Sequence, residues 1–216
     1  MKRIFNANIF FKKAFFALVF VVPNSFCAQN YIFFLHNKFL EEYSLEDAHP
    51  EYGKCEYTQI LNDFKKEGLQ VISELRKKNT NVSISATKVV KQIDSLLALG
   101  VKPGQITVVG TSKGGYIAQA VSILLKNDKV NYIFIGCCNR SDLPESSGTF
   151  YGNILSIYEK SDSLGQSCIE IKNRSVKSVK HFKEIQLATG LKHGFLYKAL
   201  PQWIEPSVKW AKQTYD

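Results

Sequence analysis

The sequence lacks the patterns that identify several common classes of protein. Its glycine-rich stretch spells neither the phosphate-binding loop G-x-x-x-x-G-K-[ST] nor the dinucleotide-binding G-x-G-x-x-G. Its five cysteines do not have the spacing of a zinc site. No internal repeat or low-complexity linker is present. These absences argue against a phosphate-loop nucleotide enzyme, a zinc-binding protein and a repeat protein.

A hydrophobic run long enough to cross a bilayer is also missing near the N-terminus. Residues 14–22 are nine apolar residues, preceded by basic residues and followed by Cys27 and Ala28. This order predicts a secretory signal peptide over residues 1–28, cleaved after Cys27 or Ala28. Nine residues are too few for a permanent anchor. We therefore expect residues 29–216 to form one exported domain, periplasmic or secreted, with no stable membrane anchor.

Basic charge is less abundant in the expected mature chain than the total suggests. The whole sequence carries +9, but four of its 28 basic residues and none of its 19 acidic ones precede residue 29, which leaves +5. The remaining lysines, such as those of residues 172–183, are scattered without an aromatic stacking platform. This pattern is typical of a solvated basic face, and we expect no nucleic-acid partner.

Four cysteines remain after the expected cleavage: Cys55, Cys137, Cys138 and Cys168. In an exported protein they could form disulfides, with three full pairings open. Sequence neighbours rarely bond each other. Because Cys137 and Cys138 end an apolar run, we expect at least one of them to be simply buried.

Strand-like and helix-like segments alternate along the chain. Apolar runs of strand length lie at residues 31–35, 69–72, 106–109, 130–138, 154–158 and 182–187. Helical spacing of apolar residues occurs at 56–66, 86–99, 115–125 and 203–210, with a loop predicted over 41–55. This alternation predicts an α/β fold with a mostly parallel sheet covered by helices on both faces. Ligands of such sheets bind at the carboxyl ends of the strands.

The most informative stretch is the junction between a buried strand and a helix, Gly110-Thr-Ser112-Lys113-Gly114. The spelling G-x-S-x-G between strand and helix is typical of a nucleophile elbow, in which a sharp turn strains the central residue and leaves room only for glycine at its flanks. The hydroxyl of Ser112 would then project above the strand ends. An ordinary turn whose serine caps the helix is the alternative interpretation.

A serine nucleophile requires a base, and the sequence offers four histidines. His36 and His49 precede Ser112, whereas His181 and His193 follow it. His193 follows the last predicted strand in a loop between two glycines, so it would share the carboxyl edge with the serine. His181 directly precedes that strand, which places it at the opposite edge. We assign the base to His193.

The third requirement is an acid that orients the base. Asp162 follows the predicted strand 154–158, again at a carboxyl end, and is our candidate. Glu159 and Asp142 stay open as alternatives, the latter after the neighbouring strand. A turn-forming role is the structural alternative for Asp162.

The negative oxygen of an acyl-transfer intermediate requires hydrogen-bond donors. The backbone N–H of Lys113 is one candidate, and the turn at Asn37 and Lys38 after the first strand offers the other. His36, just before that turn, is predicted to have a structural role.

Together these features resemble a small α/β-hydrolase. The elbow at residues 110–114, the turn at 35–37, Asp162 and His193 match that family's pattern across nearly all of the expected mature chain, in the order nucleophile, acid, base. The family usually has glycine where this turn has Asn37. The resemblance implies a serine hydrolase of carboxylesterase type that forms an acyl-enzyme and uses no metal or organic cofactor.

Many relatives carry a helical lid where this chain has only residues 139–153 before the next strand, too few for a helical cap. We expect an open site suited to small soluble esters or to acyl groups on larger exposed molecules. A peptidase or acyltransferase of the same fold and a non-catalytic binding protein remain the alternatives.

Overall fold

A six-stranded parallel sheet lies at the centre of the computed structural model, which describes residues 29–139 and 148–216. The strands of the described chain are β1 (Tyr31–Leu35), β2 (Ala48–His49), β3 (Gly53–Lys54), β4 (Gln70–Ile72), β5 (Ile106–Thr111), β6 (Asn131–Ile135), β7 (Gly152–Glu159) and β8 (Val179–Leu187). Strands β2 and β3 form a separate antiparallel pair. The other six are ordered β4-β1-β5-β6-β7-β8, and every neighbouring pair is parallel.

Helices cover both faces of this sheet. The described helices are α1 (Phe39–Glu42), α2 (Tyr57–Lys66), α3 (Val82–Ala98), α4 (Lys113–Leu125), α5 (Ile169–Arg174) and α6 (Pro201–Ala211), with 3-10 helices at Pro103–Gln105 and Lys192–Tyr197. None of these described helices is both long enough and apolar enough to cross a bilayer.

Alternation along the strands divides the core into two layers, because successive side chains of a strand point to opposite faces. Phe33 and Phe134 belong to a buried cluster that includes residues of α3 and α4. Phe34 and Ile133 belong to a second cluster, with residues of α2 and α6. The predicted α/β fold with a parallel sheet between helical layers is therefore confirmed.

The strand order creates a switch point beside β1. After β1 the chain crosses to β4 at one edge and then returns to β5 on the other side of β1, from which the strands continue outward. A crevice opens at the carboxyl ends of two such strands because their connections leave in opposite directions. The turn after β1 and the elbow after β5 both lie at this crevice.

Several predicted boundaries differ from the structure. The strand predicted over 130–138 ends at Ile135 because Gly136 adopts a positive φ of 57°. Helix α3 starts at Val82 rather than residue 86, and the Asn81 side chain accepts a hydrogen bond from the Ile84 N–H at its start. The segment predicted as a loop over 41–55 includes the end of α1 and the β2–β3 pair.

Three predictions from the sequence concern residues that lie wholly or partly outside the described chain. The predicted signal peptide and its cleavage after Cys27 or Ala28 lie before residue 29, and Asp142 lies between residues 139 and 148. The connection from β6 to β7, which the sequence predicts to be too short for a helical lid, is described only at its two ends.

Candidate active site

Ser112 occupies a strained turn between β5 and α4. Its backbone has φ 49° and ψ −119°, a region that residues with a side chain rarely adopt. The N–H of Ser112 donates to the Ile135 carbonyl at 2.9 Å, which ties the turn to the next strand. Strained backbone of this kind persists only where the surrounding structure fixes it, and it concentrates at functional sites.

Neighbouring backbone atoms leave no room for a side chain at either elbow glycine. A Cβ added to Gly110 would lie 2.2 Å from the carbonyl oxygen of Gly114. A Cβ added to Gly114 would lie 1.9 Å from the carbonyl oxygen of Leu35. The elbow therefore packs against the end of β1, and the sequence spelling reflects this close approach of backbones.

Three side chains predicted from the sequence lie within hydrogen-bond distance at the carboxyl edge. The His193 Nε2 atom is 2.9 Å from the Ser112 Oγ. The His193 Nδ1 atom is 2.7 Å from the Asp162 Oδ2. Because an ionised carboxylate only accepts, His193 carries its proton on Nδ1 and presents a free lone pair on Nε2 to the serine hydroxyl. His193 and Asp162 are both buried.

Asp162 is held in place by its own turn. The Asp162 Oδ1 atom accepts a hydrogen bond from the Leu164 N–H at 2.9 Å, and the Asp162 N–H donates to the Glu159 carbonyl at 3.0 Å. The two carboxylate oxygens are therefore divided between the turn and His193. This division fixes the carboxylate while leaving Oδ2 for the imidazole.

Glu159, an alternative acid from the sequence, has a different role: it joins the loop of the acid to the loop of the base. Its carboxylate accepts from the N–H and the hydroxyl of Thr189, each at 2.8 Å. It also accepts from the N–H and the hydroxyl of Ser161, at 3.2 and 2.9 Å. The Ser161 Oγ in turn accepts from the Lys192 N–H at 3.1 Å. Ser161 and Lys192, which directly precede Asp162 and His193, are thus bonded to each other, and Ser161 is bonded to the buried carboxylate of Glu159.

The hydrogen bonds also set the charge state of Glu159. Burial by itself raises the pKa of this carboxyl, but the donors of Thr189 and Ser161 outweigh burial and hold the pKa at about 2. Glu159 is therefore ionised at neutral pH.

The turn after β1 lies against the elbow, as the predicted oxyanion donors require. Lys113 is the first residue of α4, so its backbone N–H has no acceptor within that helix. Asn37 and Lys38 line the same cleft as Ser112 and His193. Asn37 is buried, and its Oδ1 atom has no hydrogen-bond partner among the described residues.

A buried ionic cluster that the sequence analysis missed braces this turn. Glu41 in α1 accepts from the Arg76 Nε at 2.8 Å and also from the Lys113 Nζ. The Arg76 Nη2 atom donates to the carbonyl of His36 and, at 3.4 Å, to that of Asn37. One carboxylate therefore links the elbow to the turn through two cations. No local pattern reveals these contacts, because the three charged residues are far apart in sequence.

His36 is a structural histidine, as predicted. Its Nδ1–H donates to the Asn37 carbonyl at 2.7 Å, and its Nε2 accepts from the Arg76 N–H at 2.9 Å. Burial, and then the charge of Arg76, lowers the pKa of His36 to about 4. The ring is therefore neutral and fully used in holding the turn.

His181 lies inside β8 rather than before it, which corrects the predicted start of that strand. Its ring stacks on Tyr215 with centroids 4.3 Å apart. This position is near the amino end of a parallel strand, on the opposite edge from Ser112. The predicted edge for His181 is thus right although the boundary is wrong.

Among the described cysteines, Cys138 and Cys168 form a disulfide, and Cys55 and Cys137 are buried and free. None of the three full pairings therefore occurs. Burial raises the pKa of Cys55 to about 11 and that of Cys137 to about 12, so neither is a thiolate nucleophile. The disulfide joins the chain just after β6 to the segment that follows Asp162.

The site opens into a cleft of about 630 Å³. Its walls come from the turn after β1, from α1, from the segment around β2 and β3, and from the loops that hold the acid and the base. Its lining side chains are Asn37, Lys38, Phe39, Glu42, Tyr43, Ala48, His49, Pro50, Tyr52, Ser112, Leu164, His193 and Tyr197. In residues 29–139 and 148–216, no group of three or more His, Cys, Asp or Glu side chains is placed to hold a metal ion.

Comparisons with known proteins identify the fold. No family model and no curated protein matches the sequence. Among solved structures, an arylesterase is 15% identical with a TM-score of 0.59, and the match covers 88% of this chain and 77% of that one. A sugar hydrolase from Lactococcus lactis is 14% identical with a TM-score of 0.56, covering 86% and 89%.

A protein of unknown function from Agrobacterium tumefaciens, described as an α/β hydrolase, is 14% identical with a TM-score of 0.55. That match covers 86% of this chain and 85% of the other. Likeness at such low identity establishes architecture rather than activity. The chain has the α/β-hydrolase fold, as its sequence pattern predicted.

Proposed function

We propose that this protein is a serine hydrolase that cleaves carboxylic esters through an acyl-enzyme on Ser112. One observation carries the proposal: the imidazole of His193 lies within hydrogen-bond distance of both the Ser112 hydroxyl and the Asp162 carboxylate. Acyl transfer by serine requires a nucleophile, a base within reach of it and an acid that orients the base.

In the acylation step, His193 Nε2 takes the hydroxyl proton as Ser112 Oγ forms a bond to the ester carbonyl carbon. The carbonyl oxygen becomes negative and receives hydrogen bonds from the Lys113 N–H and from the turn at Asn37 and Lys38. The imidazolium then gives its proton to the departing alkoxide as the C–O bond breaks. An alcohol leaves, and the acyl group remains on Ser112.

Deacylation repeats the sequence with water. His193 takes a proton from the water molecule as its oxygen attacks the acyl carbon, and then returns that proton to Ser112 Oγ as the acid departs. Throughout, Asp162 stays ionised, keeps the imidazole in the required tautomer and stabilises its transient positive charge.

The fold does not determine which kind of acyl bond is cleaved or which substrate is bound. The arylesterase and the sugar hydrolase with similar structures are named for different substrates. A peptidase or acyltransferase would use the same three side chains. Amide substrates and alcohol acceptors, assayed beside esters, distinguish these activities.

The test is turnover of 4-nitrophenyl butanoate by the wild type and by Ser112→Ala, His193→Gln and Asp162→Asn. We expect each variant to fold and to lose at least about 10³-fold in kcat/KM, because the three residues act as one unit. Glu170→Gln, a change on α5 outside the site, serves as the control. Undiminished turnover by Ser112→Ala would refute the proposal. A folded wild type that hydrolyses no ester or amide would indicate a binding protein.

We also propose that the protein is exported, with residues 1–28 as its signal peptide. The Cys138–Cys168 disulfide supports export, because disulfides persist mainly in oxidising compartments. Fusion of residues 1–28 to a reporter that is active only after export tests this; a reporter retained in the cytoplasm would contradict it.

A further inference from the structure

The cleft above Ser112 has an unusually aromatic wall. Five rings line it: Phe39, Tyr43, His49, Tyr52 and Tyr197. They contact one another as a continuous set, with the His49 and Tyr52 rings stacked at 4.4 Å and the Phe39 and Tyr197 centroids 5.4 Å apart. Tyr52 also contacts the base, because its ring centroid is 6.4 Å from that of His193. The aromatic wall therefore extends to the base.

Two apolar side chains at this cleft remain exposed. The Tyr43 ring stacks on Phe39 at 4.7 Å, but the residue keeps 55% of its surface exposed. Leu164, two residues after Asp162, is 53% exposed and lines the same cleft. Both side chains line the cleft that holds the reactive groups, so they are available to contact a ligand bound there.

The charged side chains in and near the cleft do not identify it as a site for an anionic ligand. The Lys38 ammonium is paired with Glu42 at 3.3 Å within the lining, and Lys192, which precedes His193 in the chain, is paired with Glu51 at 2.9 Å. A cleft that binds a carboxylate or phosphate would offer such cations to the ligand. Because each of these two lysines is accompanied by a carboxylate, neither pair adds an excess of positive charge that would attract an anionic ligand.

Backbone contacts hold the His49 ring in the wall. Its Nδ1 accepts from the N–H groups of Glu51 and Tyr52, at 3.1 and 3.3 Å. The ring proton is therefore on Nε2, and the plane of the ring lies within 10° of the Tyr52 ring. The contacts of Nδ1 fix the orientation of the ring, as a flat binding surface requires.

We infer that this cleft binds a neutral aromatic ring carried by the acyl or the alcohol part of the ester. Stacked and edge-on contacts between aromatic rings favour a flat aromatic ligand over a flexible chain of the same size. The inference rests on the proposed function and deepens it. A linear acyl chain and the apolar face of a sugar ring are the competing occupants.

Matched substrate pairs test the inference without changing the reactivity of the ester. On the acyl side, 4-nitrophenyl 3-phenylpropanoate is compared with 4-nitrophenyl hexanoate. On the alcohol side, 2-phenylethyl acetate is compared with hexyl acetate. We expect kcat/KM to be about tenfold higher for the aromatic member of at least one pair, mainly through a lower KM. The pair that shows the preference identifies the side on which the ring binds.

Variants then connect the preference to the wall. Tyr43→Leu keeps an apolar side chain but removes the ring, so the aromatic preference should fall about threefold or more. Leu99→Ala, at an 82% exposed position after α3, is the matched control and should leave the preference unchanged.

Equal kcat/KM within both pairs, or a stronger preference for an acetylated sugar, would overturn the inference. Loss of the preference in the control variant would also overturn it. A fluorophosphonate probe separates this failure from failure of the proposed function: if Ser112 is labelled but no aromatic preference exists, only the cleft assignment is wrong.

Discussion

Replacement of Glu159 by Gln removes the buried charge that joins the acid loop to the base loop. The carboxylate accepts four hydrogen bonds of 3.2 Å or less, from Thr189 and Ser161. Glutamine keeps one oxygen, but its amide NH2 then faces the backbone N–H of either Thr189 or Ser161, which can only donate. A donor facing a donor in a buried site loses the bond and leaves both groups unpaired.

The pKa of Glu159 gives the magnitude. A carboxyl whose pKa is about 2 in the folded chain instead of its ordinary 4.5 stabilises the fold by roughly 3 kcal/mol at neutral pH. Because the folded pKa is the lower one, this stabilisation is complete above the ordinary pKa. It is lost as the pH falls from 4.5 towards 2.

The assay is urea unfolding of wild type and Glu159→Gln at pH 7, 5 and 3. We expect the variant to be less stable by about 3 kcal/mol at pH 7, with a smaller difference at pH 3. We also expect kcat for ester hydrolysis to fall about 10- to 100-fold with little change in KM, since both loops shift. Glu205→Gln, an exposed change on α6, is the control. A difference in stability that stays constant with pH, or one near zero at pH 7, would refute the reasoning.

Two further predictions concern packing and covalent bonding near the site. Gly114→Ala places a Cβ 1.9 Å from the Leu35 carbonyl oxygen and should destabilise the protein by about 3 kcal/mol or more. Gly68→Ala is the comparison: an added Cβ there meets nothing within 4 Å, so its cost is only that of a side chain at a φ of 79°, about 1 to 2 kcal/mol. Gly68→Ala should therefore lower Tm less, and equal shifts would contradict the steric account. Removal of the Cys138–Cys168 bond, 30 residues apart, by a double serine variant should reduce the free energy of unfolding by roughly 3 to 4 kcal/mol; an unchanged urea midpoint would contradict it.

The sequence predicted the large elements because each has a period that its own residues reveal. Strand β1 has the predicted bounds, and α2 begins one residue later than predicted. Helices α1 and α5 have four and six residues, too few to show a helical period. The two-residue strands β2 and β3 escaped detection for the same reason.

The candidate site was predictable where geometry follows from topology. The carboxyl ends of parallel strands share one edge, so Ser112, Asp162 and His193 could be placed together from their positions after three strands. The contacts of Glu41 with Arg76 and Lys113 could not be predicted, because they depend on side chains that the fold brings together from distant parts of the chain. The disulfide could not be predicted either, because cysteine spacing alone does not determine which cysteines pair.

Covalent labelling of Ser112 tests the central claim most directly. Wild-type protein is treated with a fluorophosphonate and examined by mass spectrometry, beside Ser112→Ala and His193→Gln. We predict one added phosphonyl group on the peptide that holds Ser112, none on Ser112→Ala, and much slower addition to His193→Gln. Folded wild type that gains no label, or that is labelled equally fast without His193, would contradict the account.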